Sequence, residues 1–269
     1  MIGLVEDQLV LIMRVCFEKP RTVLGWKGLI YDKDLSGLPA SPSGLPRARE
    51  LLCEISHLGV PCATEFLNPM VASYFNDCMA YGSIGARTVE SQIHRELAST
   101  LEMPVGIKNS TDGSLDAAIN AVKAARHPHS AFAFDEEGRP AIVETSGNPY
   151  AHVCLRGGRP GSNLNLAAAR EVEARLPNGS LERPVMMDCS HANSQKDYRR
   201  QSQNAKDVAR MFEVGDNPIA GVMIESHLKE GSQNLGAEGQ LVYGQSITDG
   251  CIGWEETEEL VAEVAQLLN

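Results

Sequence analysis

The 269-residue sequence lacks paired cysteines, long apolar runs, an excess of positive charge and a glycine-rich phosphate loop. Its seven cysteines (16, 53, 62, 78, 154, 189 and 251) stand singly, with no Cys-x-x-Cys among them. That spacing argues against a zinc knuckle and a disulfide framework, so reduced thiols in a cytoplasmic protein are expected. The N-terminal apolar stretch Leu9 to Met13 follows Glu6 and Asp7, without the basic start or the cleavage site of a signal peptide. No run approaches the roughly 20 apolar residues of a membrane span. With 24 Lys+Arg against 35 Asp+Glu, the formal charge is −11, which argues against a nucleic-acid or anionic-membrane partner. Hydrophobic residues at 43% and charged ones at 22% exclude a disordered chain.

What is present is an alternation of short apolar runs with longer amphipathic stretches, the pattern of repeated β–α units. Strands are expected at 9–15, 61–66, 83–88, 103–109, 151–157, 184–191 and 219–226. Helices are expected near 44–58, 69–80, 91–100, 114–126, 163–176, 195–213 and 255–268. Two further strand-like pieces, 130–134 and 140–145, flank Asp135–Gly138 and suggest an inserted β-hairpin. A doubly wound sheet normally follows its first strand with a phosphate loop, and none is found. The count is therefore that of a (β/α)₈ TIM barrel, about 250 residues long, with seven of its eight units in view. The first unit is the one expected to be missing, so residues 1–269 are expected to form a single, incomplete barrel domain.

In such barrels the chemistry sits at the C-terminal ends of the strands. Those positions carry Arg14, then Lys19 and Arg21, Glu65, Arg87, Lys108 and Arg156. One such cation alone is an ordinary solvated charge. Six at corresponding strand ends of an acidic protein imply substrates rich in phosphate and carboxylate. The same rim receives Asp188, His191, Glu225 and Asp249. One imidazole and two carboxylates, His191, Glu225 and Asp249, suit a divalent Mn, Fe, Co or Zn ion. The competing reading makes His191 a hydrogen-bonded loop residue and Glu225 the partner of an arginine. His57 and His127 fall at helices and are expected to be structural or exposed, while His94 is a minor candidate for the rim.

At these residues the sequence resembles the class I 3-deoxy-D-arabino-heptulosonate 7-phosphate (DAHP) synthases of the feedback-regulated microbial and fungal branch. The stretches that carry the resemblance are MRVCFEKPRT (13–22), GWKGLI (25–30), IGARTVESQIHRELAS (84–99) and PVGIKNSTDG (104–113). They continue through SGN (146–148), LRGG (155–158), DCSHANSQK (188–196), GVMIESHLKEG (221–231) and YGQSITDGCIGWEET (243–257). The resemblance implies a (β/α)₈ barrel that condenses phosphoenolpyruvate with erythrose 4-phosphate, the first step of the shikimate pathway. It implies that Arg14, Arg87, Lys108 and Arg156 hold phosphoenolpyruvate, with Glu65 nearby, and that Lys19, Pro20, Arg21 and Thr22 bind erythrose 4-phosphate. It implies catalytic roles for Lys19, Lys108, His191 and Asp249, three metal ligands in His191, Glu225 and Asp249, and a homo-oligomer. The family's fourth ligand is a cysteine in a GPCSIHD-like segment ending the first strand, and no such segment occurs in residues 1–269. Cys189 and Cys16 are the candidate replacements, with packing in the core as the preferred reading of both. The alternative to a working synthase is a truncated or non-catalytic homologue that binds substrate without full metal-dependent activity. The acidic hairpin AFAFDEEGRP (131–140) leaves control by an aromatic amino acid doubtful.

Overall fold

The computed structural model describes residues 5, 7–20, 25–35, 43–135, 137–177, 181–235 and 241–268. Arg21 and Thr22 of the KPRT segment lie outside them. The chain divides into two compact units, one of residues 1–10, 111–115 and 154–269, the other of residues 11–110 and 116–153. We call these the C-terminal and N-terminal units.

The N-terminal unit is built on parallel strands β1 (Met13–Arg14), β2 (Cys62–Glu65), β3 (Tyr81–Ile84) and β4 (Val105–Lys108), hydrogen-bonded in that order. Every residue of β3 and β4 is buried, as expected for parallel strands covered on both faces. Helix α1 (Gly44–His57) buries Ala48, Leu52 and Ile55, a spacing of four and three that forms one stripe. Helix α2 (Gln92–Thr100) follows β3, and α3 (Leu115–Ala125) follows β4, burying Ile119 and Val122 among alanines from Ala117 to Ala125. Strands β5 (Ser130–Phe134) and β6 (Pro140–Glu144) pair antiparallel as a hairpin, with Phe132 opposite Ile142. An aromatic cluster lies in this unit, with Phe17 edge-on to Phe75 at 4.7 Å.

Strand β7 (Ala151–Leu155) contains the point of division, its first three residues in the N-terminal unit and its last two in the C-terminal one. The C-terminal unit continues with α4 (Leu166–Arg175), β8 (Val185–Asp188), α5 (Gln201–Met211), β9 (Ile219–Met223), a small parallel pair β10 (Lys229–Ser232) and β11 (Gln245–Ser246), and α6 (Trp254–Leu267). β8 and β9 are parallel neighbours. Asn165 starts α4, its side chain accepting from Ala168 N at 2.9 Å. The core here joins Cys189, Ala205, Ala209, Ile252, Leu260 and Val264. Parallel strands alternating with helices make this an α/β fold.

Three departures from the expected elements have local causes. The run 69–80 forms two 3₁₀ turns, Pro69–Tyr74 and Asn76–Cys78, where a helix was expected. Arg49 donates to the Tyr74 carbonyl at 2.6 Å, occupying the acceptor that an α-turn would offer to Cys78 N. Cys78 N bonds Phe75 O instead, at 3.0 Å. Pairing of β1 begins only at Met13, because Leu9 packs on the core of the C-terminal unit's cluster. β9 stops at Met223, short of 226, because the Gln201 side chain takes both backbone groups of Glu225. No helix among the described residues is long and apolar enough to cross a membrane.

Candidate active site

Three of the charged residues expected at the rim close parallel strands of the N-terminal unit. Arg14 closes β1, Glu65 closes β2 and Lys108 closes β4. Lys19 and Pro20 follow β1, and Arg87 stands in the turn after β3. β3 runs 81–84, two residues earlier than expected, so Arg87 is carried on a turn and exposed. Lys108 is only 3% exposed, and a lysine ammonium is withdrawn from water only where anionic or polar groups face it. The Glu65 carboxylate lies over Gly85, where a methyl group would stand 3.0 Å from Glu65 Cδ and closer still to Oε1. A glycine is therefore needed for that carboxylate to rest against β3.

The C-terminal unit holds Arg156 immediately after β7 and the metal candidates beyond β8, β9 and β11. His191, Glu225 and Asp249 each offer a ligand atom, and these atoms all lie within 4.8 Å of one another. His191 Nε2 is 3.8 Å from Glu225 Oε1. Two carboxylates this close repel unless a cation or proton stands between them, so the donor set fits a divalent ion. The other face of the histidine fits as well. His191 Nδ1 is buried, 2.9 Å from Asp188 Oδ2 yet off the direction of a hydrogen bond. A carboxylate behind a ligating imidazole is the usual orienting partner. Asp188 was expected on the rim but not in this role.

The residues that fix Glu225 are uncharged and do not stand out in the sequence. Ser190 Oγ donates to Glu225 Oε2 at 2.9 Å. Gln201, fully buried, accepts from Glu225 N at 2.6 Å and donates to its carbonyl at 3.1 Å. A polar run at the end of a buried strand, Asp188 to Gln201, was the available signal, since buried polar groups are found where they are paired.

Cys189 does not fit as the replacement ligand. Cys189 is fully buried in the apolar cluster, and burial pushes its thiol well above the ordinary range, which disfavours a thiolate. His94 is half-buried, bonded to Ser91 and Leu67, and His57 bonds its own helix at Cys53 O. A buried pair went unforeseen: Tyr81 Oη lies 2.9 Å from His152 Nε2, both inside the N-terminal unit.

A family model described as the DAHP synthetase I family matches residues 3–262. The chain belongs to the DAHP synthetase I family. A relative from Escherichia coli (strain K12), the Tyr-sensitive phospho-2-dehydro-3-deoxyheptonate aldolase, is 47% identical over 266 residues, covering 98% of this chain and 74% of the relative. A Trp-sensitive aldolase of the same name from Enterobacter agglomerans is 46% identical over 264 residues, 98% of this chain and 76% of that one. Among solved structures, the phospho-2-dehydro-3-deoxyheptonate aldolase of Francisella tularensis SCHU S4 is similar with a TM-score of 0.93 and 43% identity. That likeness covers 100% of this chain and 79% of the other.

Proposed function

We propose that this chain is a 3-deoxy-7-phosphoheptulonate synthase, condensing phosphoenolpyruvate, erythrose 4-phosphate and water to DAHP and phosphate at the start of aromatic amino-acid biosynthesis. The observation that carries the reading is the triad of His191, Glu225 and Asp249 in a member of this family, its ligand atoms within 4.8 Å of one another. The parallel strand order supports the finer fold assignment, a (β/α)₈-type barrel domain short of its first unit. A cytoplasmic homo-oligomer goes with this reading.

Arg14, Arg87, Lys108 and Arg156 would bind the phosphate and carboxylate of phosphoenolpyruvate, the arginines by forked hydrogen bonds and the buried lysine as a point charge. Lys19 and Pro20, with Arg21 and Thr22, would hold the phosphate of erythrose 4-phosphate. Fixing two mutually repelling phosphates lowers the barrier by positioning and by charge set in place beforehand. Carbon 3 of phosphoenolpyruvate attacks the aldehyde, water adds at carbon 2, and phosphate leaves by C–O cleavage. A divalent ion of the Mn, Fe, Co or Zn kind, held by His191, Glu225 and Asp249, would supply Lewis-acid polarisation of the aldehyde oxygen. Lys108 and Lys19 stand as the proton-bearing side chains for the developing alkoxide and the departing phosphate, and Asp188 orients His191. The test is an assay of the purified chain for DAHP and phosphate with both substrates and Mn²⁺, with and without chelator. Chelator-sensitive, one-to-one formation of the two products is expected, and substrate binding without turnover would point to a non-catalytic homologue.

A further inference from the structure

We propose that Glu18 and His94 are positioning residues, the two ends of a hydrogen-bonded brace that couples the Lys19 segment to the turn carrying Arg87. The inference rests on the substrate reading above for what those two segments hold, but the brace itself lies wholly within the N-terminal unit.

Glu18 sits between Phe17 and Lys19 and is 4% exposed. Its Oε1 accepts from Tyr31 Oη at 3.0 Å, and its Oε2 faces the backbone N–H groups of Leu67 and Asn68 at 3.4 and 3.3 Å. The Tyr31 hydroxyl in turn accepts from Asn68 Nδ2 at 3.0 Å. The carboxylate thereby ties the segment after β1 to the segment after β2. Leu67 passes the connection on. Its carbonyl lies 2.8 Å from His94 Nε2, and since a carbonyl only accepts, that nitrogen bears the hydrogen. His94 Nδ1 lies 2.8 Å from Ser91 Oγ. Ser91 N bonds Thr88 O at 2.9 Å and Thr88 N bonds Gly85 O at 3.1 Å, closing the turn on which Arg87 stands. At the other end, Lys19 N bonds Lys27 O at 2.8 Å, so Lys19 is held through the same short stretch as Glu18.

Burial raises the Glu18 pKa above the ordinary carboxylate value, against the pull of its three donors, and the nearby Glu65 adds to the rise. A group with that cost contributes little net stability compared with an apolar side chain packed in its place. What it does contribute is a fixed distance between three loops that follow successive parallel strands. Loops bearing substrate groups need that precision, because small misplacements are felt strongly in rate.

The test measures KM for each substrate separately, in the full chain with Mn²⁺, for the parent, Glu18→Ala, His94→Phe, the double variant and His94→Gln. The brace predicts crossed effects. Glu18→Ala should raise KM for phosphoenolpyruvate, and His94→Phe should raise KM for erythrose 4-phosphate, each by about tenfold. The double variant should be little worse than the worse single, since each change breaks the same connection. His94→Gln, whose amide can donate to the Leu67 carbonyl, should recover most of the loss. If Glu18→Ala does not fold, Tyr31→Phe removes one hydroxyl of the brace and should show the same crossed pattern more weakly. Single variants that each affect only the adjoining substrate, with additive losses in the double, would overturn the proposal. Amide exchange separates this failure from failure of the substrate reading: His94→Phe should speed exchange at Lys19 and Asn68 by about tenfold whatever the substrates are. Unchanged protection there overturns the brace. A parent that makes no DAHP, with exchange altered as expected, overturns only the assignment of substrates.

Discussion

Adding one methyl group at Gly85 tests whether the Glu65 carboxylate must rest where it does. The new Cβ would stand 3.0 Å from Glu65 Cδ and closer to Oε1, inside ordinary contact, so the carboxylate has to retreat by on the order of 1 Å. The backbone tolerates alanine, because Gly85 is not among the positive-φ glycines. The obstacle is the end of a flexible side chain, and an off-rotamer shift of that kind costs about 0.5–1.5 kcal/mol. In a chain of this length such a cost lowers Tm by a few degrees, roughly 2–4 °C for 1 kcal/mol. The chemical consequence is far larger. A displacement of about 1 Å at a group that orders the reacting centre can cost ~10²-fold in rate. Gly85→Ala should therefore lose about two orders of magnitude in kcat/KM for phosphoenolpyruvate while staying folded. Gly215→Ala is the matching control, since a Cβ there meets nothing within 4 Å. Glu65→Gln, of equal volume but without charge, should fall in parallel with Gly85→Ala if the carboxylate's charge is what matters. Phosphate release assayed beside a thermal melt reads both quantities. A Gly85→Ala protein with the parent's kcat/KM would refute the reasoning and remove Glu65 from the site.

The triad makes a direct claim: His191→Ala, Glu225→Ala and Asp249→Ala should each lose Mn²⁺ on dialysis, as read by calorimetry, and stoichiometric retention by His191→Ala would exclude the site. Asp188→Asn should keep the ligands but weaken the ion about 10–100-fold. Arg156→Ala should weaken phosphoenolpyruvate binding by about 2–5 kcal/mol in the same instrument, and unchanged affinity would dismiss the assignment. His152 is buried, and burial holds its pKa below the ordinary histidine value, with Arg126 adding to the effect. A depressed folded-state pKa contributes stability that is present above the unfolded value of about 6.5 and is lost as pH falls through the folded one. Tm should decline below pH ~6.5, and His152→Gln should flatten that decline. Glu18, raised by burial, acts in the opposite direction at lower pH, so the parent-minus-variant difference is the quantity to read.

Much of the fold was legible because buried parallel strands are written as short apolar runs. The expectations at 61–66, 103–109, 151–157, 184–191 and 219–226 each contain an observed strand, and that at 83–88 overlaps one. Boundaries were not legible, because they are set by long-range side chains. Nothing in residues 69–80 announces that Arg49, on α1, will capture the Tyr74 carbonyl and tighten a helix into 3₁₀ turns. Nothing near 224–226 announces that Gln201 will take the backbone of Glu225. Of the site, the charged residues were visible as unlike charges at strand ends. Their supports, Gln201 and Ser190, are neutral residues of common type, and only pairing across elements gives them meaning.

The stretch from Asp188 to Lys196 shows how a histidine proposed as a metal ligand can occupy a backbone position that suits glycine better. His191 has φ of +55°, and Gln195 and Lys196 follow at +55° and +63°. Each such non-glycine residue costs about 1–2 kcal/mol, so three in six residues persist only if the surroundings over-determine them. They do. Asn193 donates to Leu155 O at 3.1 Å and Asp188 O at 2.8 Å, and its Oδ1 accepts from Asn163 N at 2.9 Å and Ser162 Oγ at 3.0 Å. Asn204 holds the carbonyls of Cys189 and Asn193 at 2.9 and 3.2 Å. Lys196 N returns to the His191 carbonyl at 2.8 Å. Gly157 belongs to the same design, because a Cβ there would meet Asn193 Oδ1 at 2.7 Å. A glycine at 191 would relieve the backbone and lose the imidazole. The sequence instead keeps the imidazole, places Asp188 one short turn behind it, and spreads the strain over a buried polar network. Asn193→Ala should therefore weaken metal binding without touching a ligand, because the turn that presents His191 would relax toward negative φ.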